Sequence, residues 1–187
     1  MSGISRSTLP TRPFALLQQV EAHSLAHNVG IPEVGDVREQ WSGTGFRVGR
    51  QRFVAPMGEV MEILPYPEVS RIPRALPWLK GIANIRGNLL PVMDLRGFLT
   101  GEATPIQRQT RVLVIQQQSV YTGLLVDESL GIRRFYADDR LERAEGIDSR
   151  YSECVEGMFH DEFGDFAWYI FSMKKLAENP QLVRAAA

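Results

Sequence analysis

From Trp41 onward, apolar and polar positions alternate over short runs separated by turn residues, which is the pattern of β-strands. The clearest unit is Leu79 to Leu99, LKGIANIRGNLLPVMDLRGFL. Period-2 alternation predicts Ile82, Asn84 and Arg86 on one strand face and Ala83 and Ile85 on the other. Gly87-Asn88 is the expected two-residue hairpin turn, because both residue types tolerate positive φ. Leu89 to Met93 then returns as the second strand. An arginine beside a tight turn on an otherwise apolar hairpin points to a contact surface rather than a catalytic pocket.

The same reading predicts a hairpin from Phe46–Val48 and Arg52–Ala55 around Gly49-Arg50-Gln51. Val60 to Leu64 is a further strand, with Val60, Glu62 and Leu64 facing one way. Arg111–Ile115 and Val120–Val126 form a hairpin across Gln116 to Ser119, followed by a strand at Ile132–Tyr136. Met158 to Asp165 reads as turns, and Phe166 to Phe171 as a near-continuous apolar strand. Asp94 is placed to cap a helical turn through Leu99. Ser172 is placed to cap a final helix, Met173 to Ala177, that ends at Asn179-Pro180. Upstream, Phe14 to His27 has helical spacing of Leu16, Leu17 and Val20. About nine strands with helices mainly near the ends predict an all-β barrel or sandwich. The expected organisation is an N-terminal extension with one helix (1–40), a β domain (41–177) and a C-terminal tail (178–187).

Charge and composition narrow the function. The chain has 187 residues, 21 Lys+Arg against 22 Asp+Glu, and a formal net charge of −1. There is no bulk electrostatic case for nucleic acid, although Arg133, Arg134, Phe135 and Tyr136 form a local basic and aromatic cluster of the kind small barrels use. A single cysteine, Cys154, excludes a disulfide framework within the chain and fits a buried small hydrophobe. No apolar run approaches a membrane span, and the N-terminus has no signal-peptide apolar region.

Candidate chemistry is sparse. His23 and His27 have the i, i+4 spacing of metal ligands, but HSLAH lacks the glutamate of a zinc hydrolase, and the bland reading is a helix face carrying two histidines. His160 stands alone among charges. No phosphate-binding glycine loop of the GxxxxGK[ST] type and no GxSxG is present, and the adjacent acids at Asp127-Glu128, Asp138-Asp139 and Asp161-Glu162 read as solvated. The expectation is a protein without catalytic residues, metal or cofactor.

Several motifs together resemble the CheW domain, the coupling adaptor of bacterial chemosensory arrays. They are Val60-Met61-Glu62-Ile63, Ile72-Pro73, Lys80-Gly81-Ile82-Ala83-Asn84-Ile85-Arg86-Gly87, Pro91-Val92-Met93-Asp94-Leu95-Arg96 and Gly123-Leu124-Leu125-Val126-Asp127. Ser172 stands where Asp or Asn is common. The resemblance implies two SH3-like, five-stranded β-barrels packed across an apolar seam. It also implies a non-enzymatic bridge between the cytoplasmic tip of methyl-accepting chemoreceptors and the regulatory domain of a CheA-like histidine kinase. The protein would then be cytoplasmic and recruited to membrane-associated receptor arrays, without direct membrane insertion. By family position, Val60, Glu62, Asn84 and Arg86 lie on the receptor-binding side and Gly81 near a kinase-binding surface. Leu89, Val92 and Phe53 are candidates for exposed barrel surface that fit a core equally well.

The N-terminal helix and the wording around Trp41-Ser42-Gly43 look most like the PilI branch, whose adaptors serve type IV pili and twitching motility. Competing readings are an adaptor of a flagellar array, a small-barrel nucleic-acid module, an enzyme with an unrecognised carboxylate site, and a regulatory domain cut from a histidine kinase. Chain ends without an ATP-binding or phospho-acceptor segment favour a free adaptor over the last of these.

Overall fold

The structure is a computed structural model that describes residues 38–118, 120–161 and 166–186. The predicted Phe14–His27 helix, with His23 and His27, lies outside the described residues. Ten strands form two five-stranded sheets. The first contains β1 (Gln40–Val48), β2 (Gln51–Pro56), β8 (Glu128–Tyr136), β9 (Val155–His160) and β10 (Ala167–Phe171), in the order β8-β1-β2-β10-β9. The second contains β3 (Glu62–Pro65), β4 (Leu79–Ile85), β5 (Asn88–Asp94), β6 (Arg111–Gln117) and β7 (Val120–Val126), in the order β3-β6-β7-β5-β4. Three helices accompany them: α1 (Leu95–Thr100), α2 (Met173–Ala177) and α3 (Pro180–Ala186).

Each sheet curls so that its outer strands approach through side chains, with no backbone ladder between them. β8 and β9 are the two ends of the first sheet, yet the rings of Phe135 and Phe159 stack with centroids 4.5 Å apart. These rings join Trp41, Val54, Trp168 and Ile170 in one apolar cluster. The second sheet encloses Ala83, Leu90, Val92, Val112, Val114 and Leu125. A larger central cluster draws on both sheets and on the helices, including Phe46, Phe53, Met93, Leu113, Leu124, Phe171 and Leu176.

This arrangement explains the continuous apolar runs. In β6, Val112 and Val114 enter the second barrel while Leu113 and Ile115 enter the central seam. In β10, Trp168 and Ile170 enter the first barrel while Tyr169 and Phe171 enter the seam. A strand buried on both faces loses its polar alternation. Leu89 is 68% exposed, whereas Val92 and Phe53 are fully buried core residues.

Some sequence expectations are corrected. Val155–His160 is a strand (β9) rather than mainly turns, its signal blunted by Glu156 and Gly157. Asn179-Pro180 ends one helix and begins another. The Asn179 side chain accepts from the Gln181 N–H at 3.0 Å, and Leu182 enters the central cluster. Proline opens α3 readily because the first helical N–H has no intrahelical partner to lose. Cys154 is buried, and burial pushes its thiol up to about 11.

Candidate functional site: a charged hairpin at the second barrel

The β4–β5 hairpin turns at Arg86-Gly87, one residue earlier than the sequence predicts, since Ile85 pairs directly with Asn88. Arg86 (φ 52°) and Gly87 (φ 89°) both lie at positive φ, as a type I′ turn requires. Arg86 therefore sits at the turn tip rather than on the strand face with Ile82 and Asn84. The exposed Asn84 builds this turn, its Oδ1 accepting from the Gly87 N–H at 2.9 Å.

From this tip Arg86 donates to Glu62 Oε1 at 2.8 Å. Glu62 opens β3, and β3 and β4 are the two ends of the second sheet. The pair thus bridges strands that no backbone ladder joins. Arg86 is 78% exposed at its side chain, so the ion pair lies open to solvent. Met61, just before β3, and Ile63, on the face of β3 opposite Glu62, are 60% and 39% exposed, and Leu89 stands opposite Asn84 across the hairpin. Leu89 was already a candidate for exposed surface, whereas Met61 and Ile63 were missed because alternation alone assigns them to an unspecified second face.

The sequence-predicted residues part company at Val60. β3 begins at Glu62, and Val60 packs against the central cluster instead of sharing the face of Glu62 and Leu64. The intervening chain crosses from one barrel to the other. Met57 N–H bonds to the Ser42 carbonyl, and Glu59 Oε2 accepts from the Met173 N–H at 2.9 Å, tying the crossover to α2. Burial raises the Glu59 carboxyl above its usual range.

Gly81 has a backbone task. It is buried at φ 143°, and a Cβ there would stand 2.3 Å from the Ser70 carbonyl oxygen. Ser70 bridges Ile82 through reciprocal N–H to O bonds of 2.8 and 2.9 Å. The glycine lets the Ser70–Arg71 segment lie directly on β4, and it is that segment which presents a surface.

Two acidic motif residues are likewise structural. Asp94, buried, caps α1 through the Gly97 N–H (3.0 Å) and receives the Thr104 N–H (2.8 Å) and hydroxyl (2.6 Å). Asp127, the single residue between β7 and β8, accepts from the Gly49 N–H at 2.7 Å and fixes the return crossing to the β1–β2 turn. Among the described residues no group of three or more His, Cys, Asp or Glu is placed to hold a metal ion. No helix among them is long and apolar enough to cross a membrane.

Known proteins match this architecture. The family model for the CheW-like domain matches residues 42–181. The chain is 40% identical to Protein PilI of Pseudomonas aeruginosa over 167 residues, covering 89% of this chain and 92% of PilI. It is 35% identical to Protein FrzA of Myxococcus xanthus over 134 residues, covering 72% of this chain and 83% of FrzA. The scaffolding protein TtCheW of Thermoanaerobacter tengcongensis superposes with a TM-score of 0.64 at 20% identity, covering 76% of this chain and 95% of that one, a likeness of fold. The chain belongs to the CheW-like domain family, on the branch represented by PilI.

Proposed function

We propose that the chain is a non-enzymatic adaptor that couples the cytoplasmic tip of a methyl-accepting chemoreceptor to the regulatory domain of a CheA-like histidine kinase, in a pathway controlling type IV pili and twitching motility. Membership of the CheW-like family and the PilI likeness support the pathway. The observation that carries the site assignment is the exposed Glu62–Arg86 ion pair, with the exposed Met61, Ile63 and Leu89 on the segments that hold it. A helical hairpin is held by apolar anchors while rim charges fix its orientation and suppress wrong partners. On this reading Glu62, Arg86 and the turn built by Asn84 face the receptor. Val60 supports them from beneath, and the Ser70–Arg71 segment seated on Gly81 faces the kinase. The coupling role belongs to residues 41–177, and recruitment to receptor arrays follows from receptor binding.

The test is co-purification of the full chain with a receptor cytoplasmic hairpin and a chemosensory histidine kinase. A ternary complex that loses the receptor, and keeps the kinase, on Arg86→Glu is the expected result. Failure to retain either partner would overturn the adaptor reading.

A further inference from the structure

The first barrel carries a surface that the coupling role leaves unused. β8 pairs with β1 along one edge, and among the described residues no strand pairs with its other edge. Opposite it, Leu141 bridges Met158 and occupies part of the free edge of β9. The barrel is therefore left unzipped beside β8, where a cleft of about 1390 Å³ opens. Its rim carries Ile132, Tyr136, Leu141 and Phe166, which are 62, 41, 44 and 47% exposed. The cleft is an open groove running beside a strand edge, a shape that suits an extended chain segment.

The charges select among such segments. Arg52, Arg133 and Arg134 line the cleft, and among the described residues none of them lies within ion-pair distance of a carboxylate. The Arg52 guanidinium lies over the Phe166 ring (3.5 Å) and the Arg133 guanidinium over Trp168 (4.9 Å), which holds both at the cleft. Arg38, by contrast, is already paired with Asp138 and Asp139. Exposed edge strands are commonly protected by charge alone. Here the charges alternate with exposed apolar side chains, which invites association instead.

We propose that this cleft binds an extended acidic segment of a partner protein, which adds as a strand to the free edge of β8. Carboxylates along one face of the segment pair with Arg52 and Arg133, and apolar side chains along its other face rest on Ile132 and Tyr136, which share the opposite face of β8. Main-chain bonds to the edge supply affinity, and alternate side chains supply specificity. Nucleic acid is the less suitable ligand, because Asp139 and Asp161 also line the cleft and the chain is net acidic. The surface lies on the first barrel and Glu62–Arg86 on the second, so the two assignments fail independently.

Fluorescence anisotropy with the full chain and a labelled peptide of alternating aspartate and leucine tests the proposal. Expected are saturable binding, none to the lysine-for-aspartate peptide, and loss for at least one of two peptides N-methylated on alternate amides in opposite phase. Arg133→Glu with Arg134→Glu should weaken binding at least about ten-fold, since like charges face each other. Near-UV circular dichroism reports whether that pair folds. If it does not, the exposed Arg133→Glu alone must give the same direction. Amide shifts on peptide addition should concentrate at Ile132 to Tyr136. Absent binding, unchanged affinity in the folded variants, full binding by both N-methylated peptides, or tighter binding of an oligothymidylate overturns the proposal.

Discussion

Replacing Arg86 by asparagine separates the two tasks the structure gives this residue. At φ 52° a non-glycine side chain costs about 1 kcal/mol. Arg86→Asn leaves Gly87 in place and creates Asn-Gly, the favoured pair for this turn. The lost ion pair is 2.8 Å long but joins side chains 78% and 35% exposed, so solvent screening limits its contribution to about 0.2–1 kcal/mol. Relief and loss nearly cancel. Stability should stay within about 0.5 kcal/mol of wild type, no more than about 2 °C in melting midpoint for a domain of this size. Binding behaves differently, because a charge-assisted hydrogen bond to a partner contributes about 1.5–3 kcal/mol. Titration of a receptor cytoplasmic hairpin should therefore show affinity falling about 10- to 100-fold. The charge swap Glu62→Arg with Arg86→Glu keeps the internal attraction while reversing what a partner meets, and binding should remain lost. Arg86→Asn that destabilises the fold by more than about 1 kcal/mol and binds normally, or a swap that restores binding, would refute the reasoning and make the pair a clasp for the barrel.

Other outcomes follow from the same geometry. Asp94→Ala removes a helix cap and strands the Thr104 N–H, a combined loss of about 3 kcal/mol measurable by urea denaturation; Asp94→Asn should cost less. Gly81→Ala places a methyl against the Ser70 carbonyl oxygen at a left-handed φ and should destabilise by about 2–4 kcal/mol, with kinase retention falling only as far as the fold does. Hydrogen bonds from the Arg150 guanidinium and N–H hold Asp148 at about 2, so its stabilising pairing is present above the usual carboxylate range and is lost as pH falls toward 2. A carboxyl titration by NMR should show that midpoint, and Arg150→Ala, which keeps the backbone N–H bond, should raise it only part of the way back to the usual carboxylate range.

The legible parts of the fold were those written in local pattern. Alternation and turn residues located the β4–β5 and β6–β7 hairpins, and the caps Asp94 and Ser172 both hold their helices. β1 was read only at its Phe46–Val48 end, because Trp41-Ser42-Gly43-Thr44-Gly45 has too few large side chains to show a period. The hairpin turn was misplaced by one residue. Asn88 suits a positive φ better than Arg86, yet the ladder register Ile85 to Asn88 overrides that preference. The resemblance put Glu62 and Arg86 on one side, where they pair if their strands are neighbours; that adjacency, across 24 positions, was decided only by the closed barrel.

By itself the sequence determined where most strands lie, that the fold is all-β, and which motifs place it among CheW-like adaptors. These rest on side-chain size, charge and spacing within a few residues, which act before distant segments meet. Only the tertiary structure decided which face of β6 or β10 enters which core, that Val60 turns inward while Met61 and Ile63 stay at the surface, and that, among the described residues, one edge of β8 has no partner strand and the arginines beside it no carboxylate partner. Each of these depends on contacts between strands far apart in the chain, and an unpaired edge or a bridged one is a property of the closed barrel rather than of any segment in it.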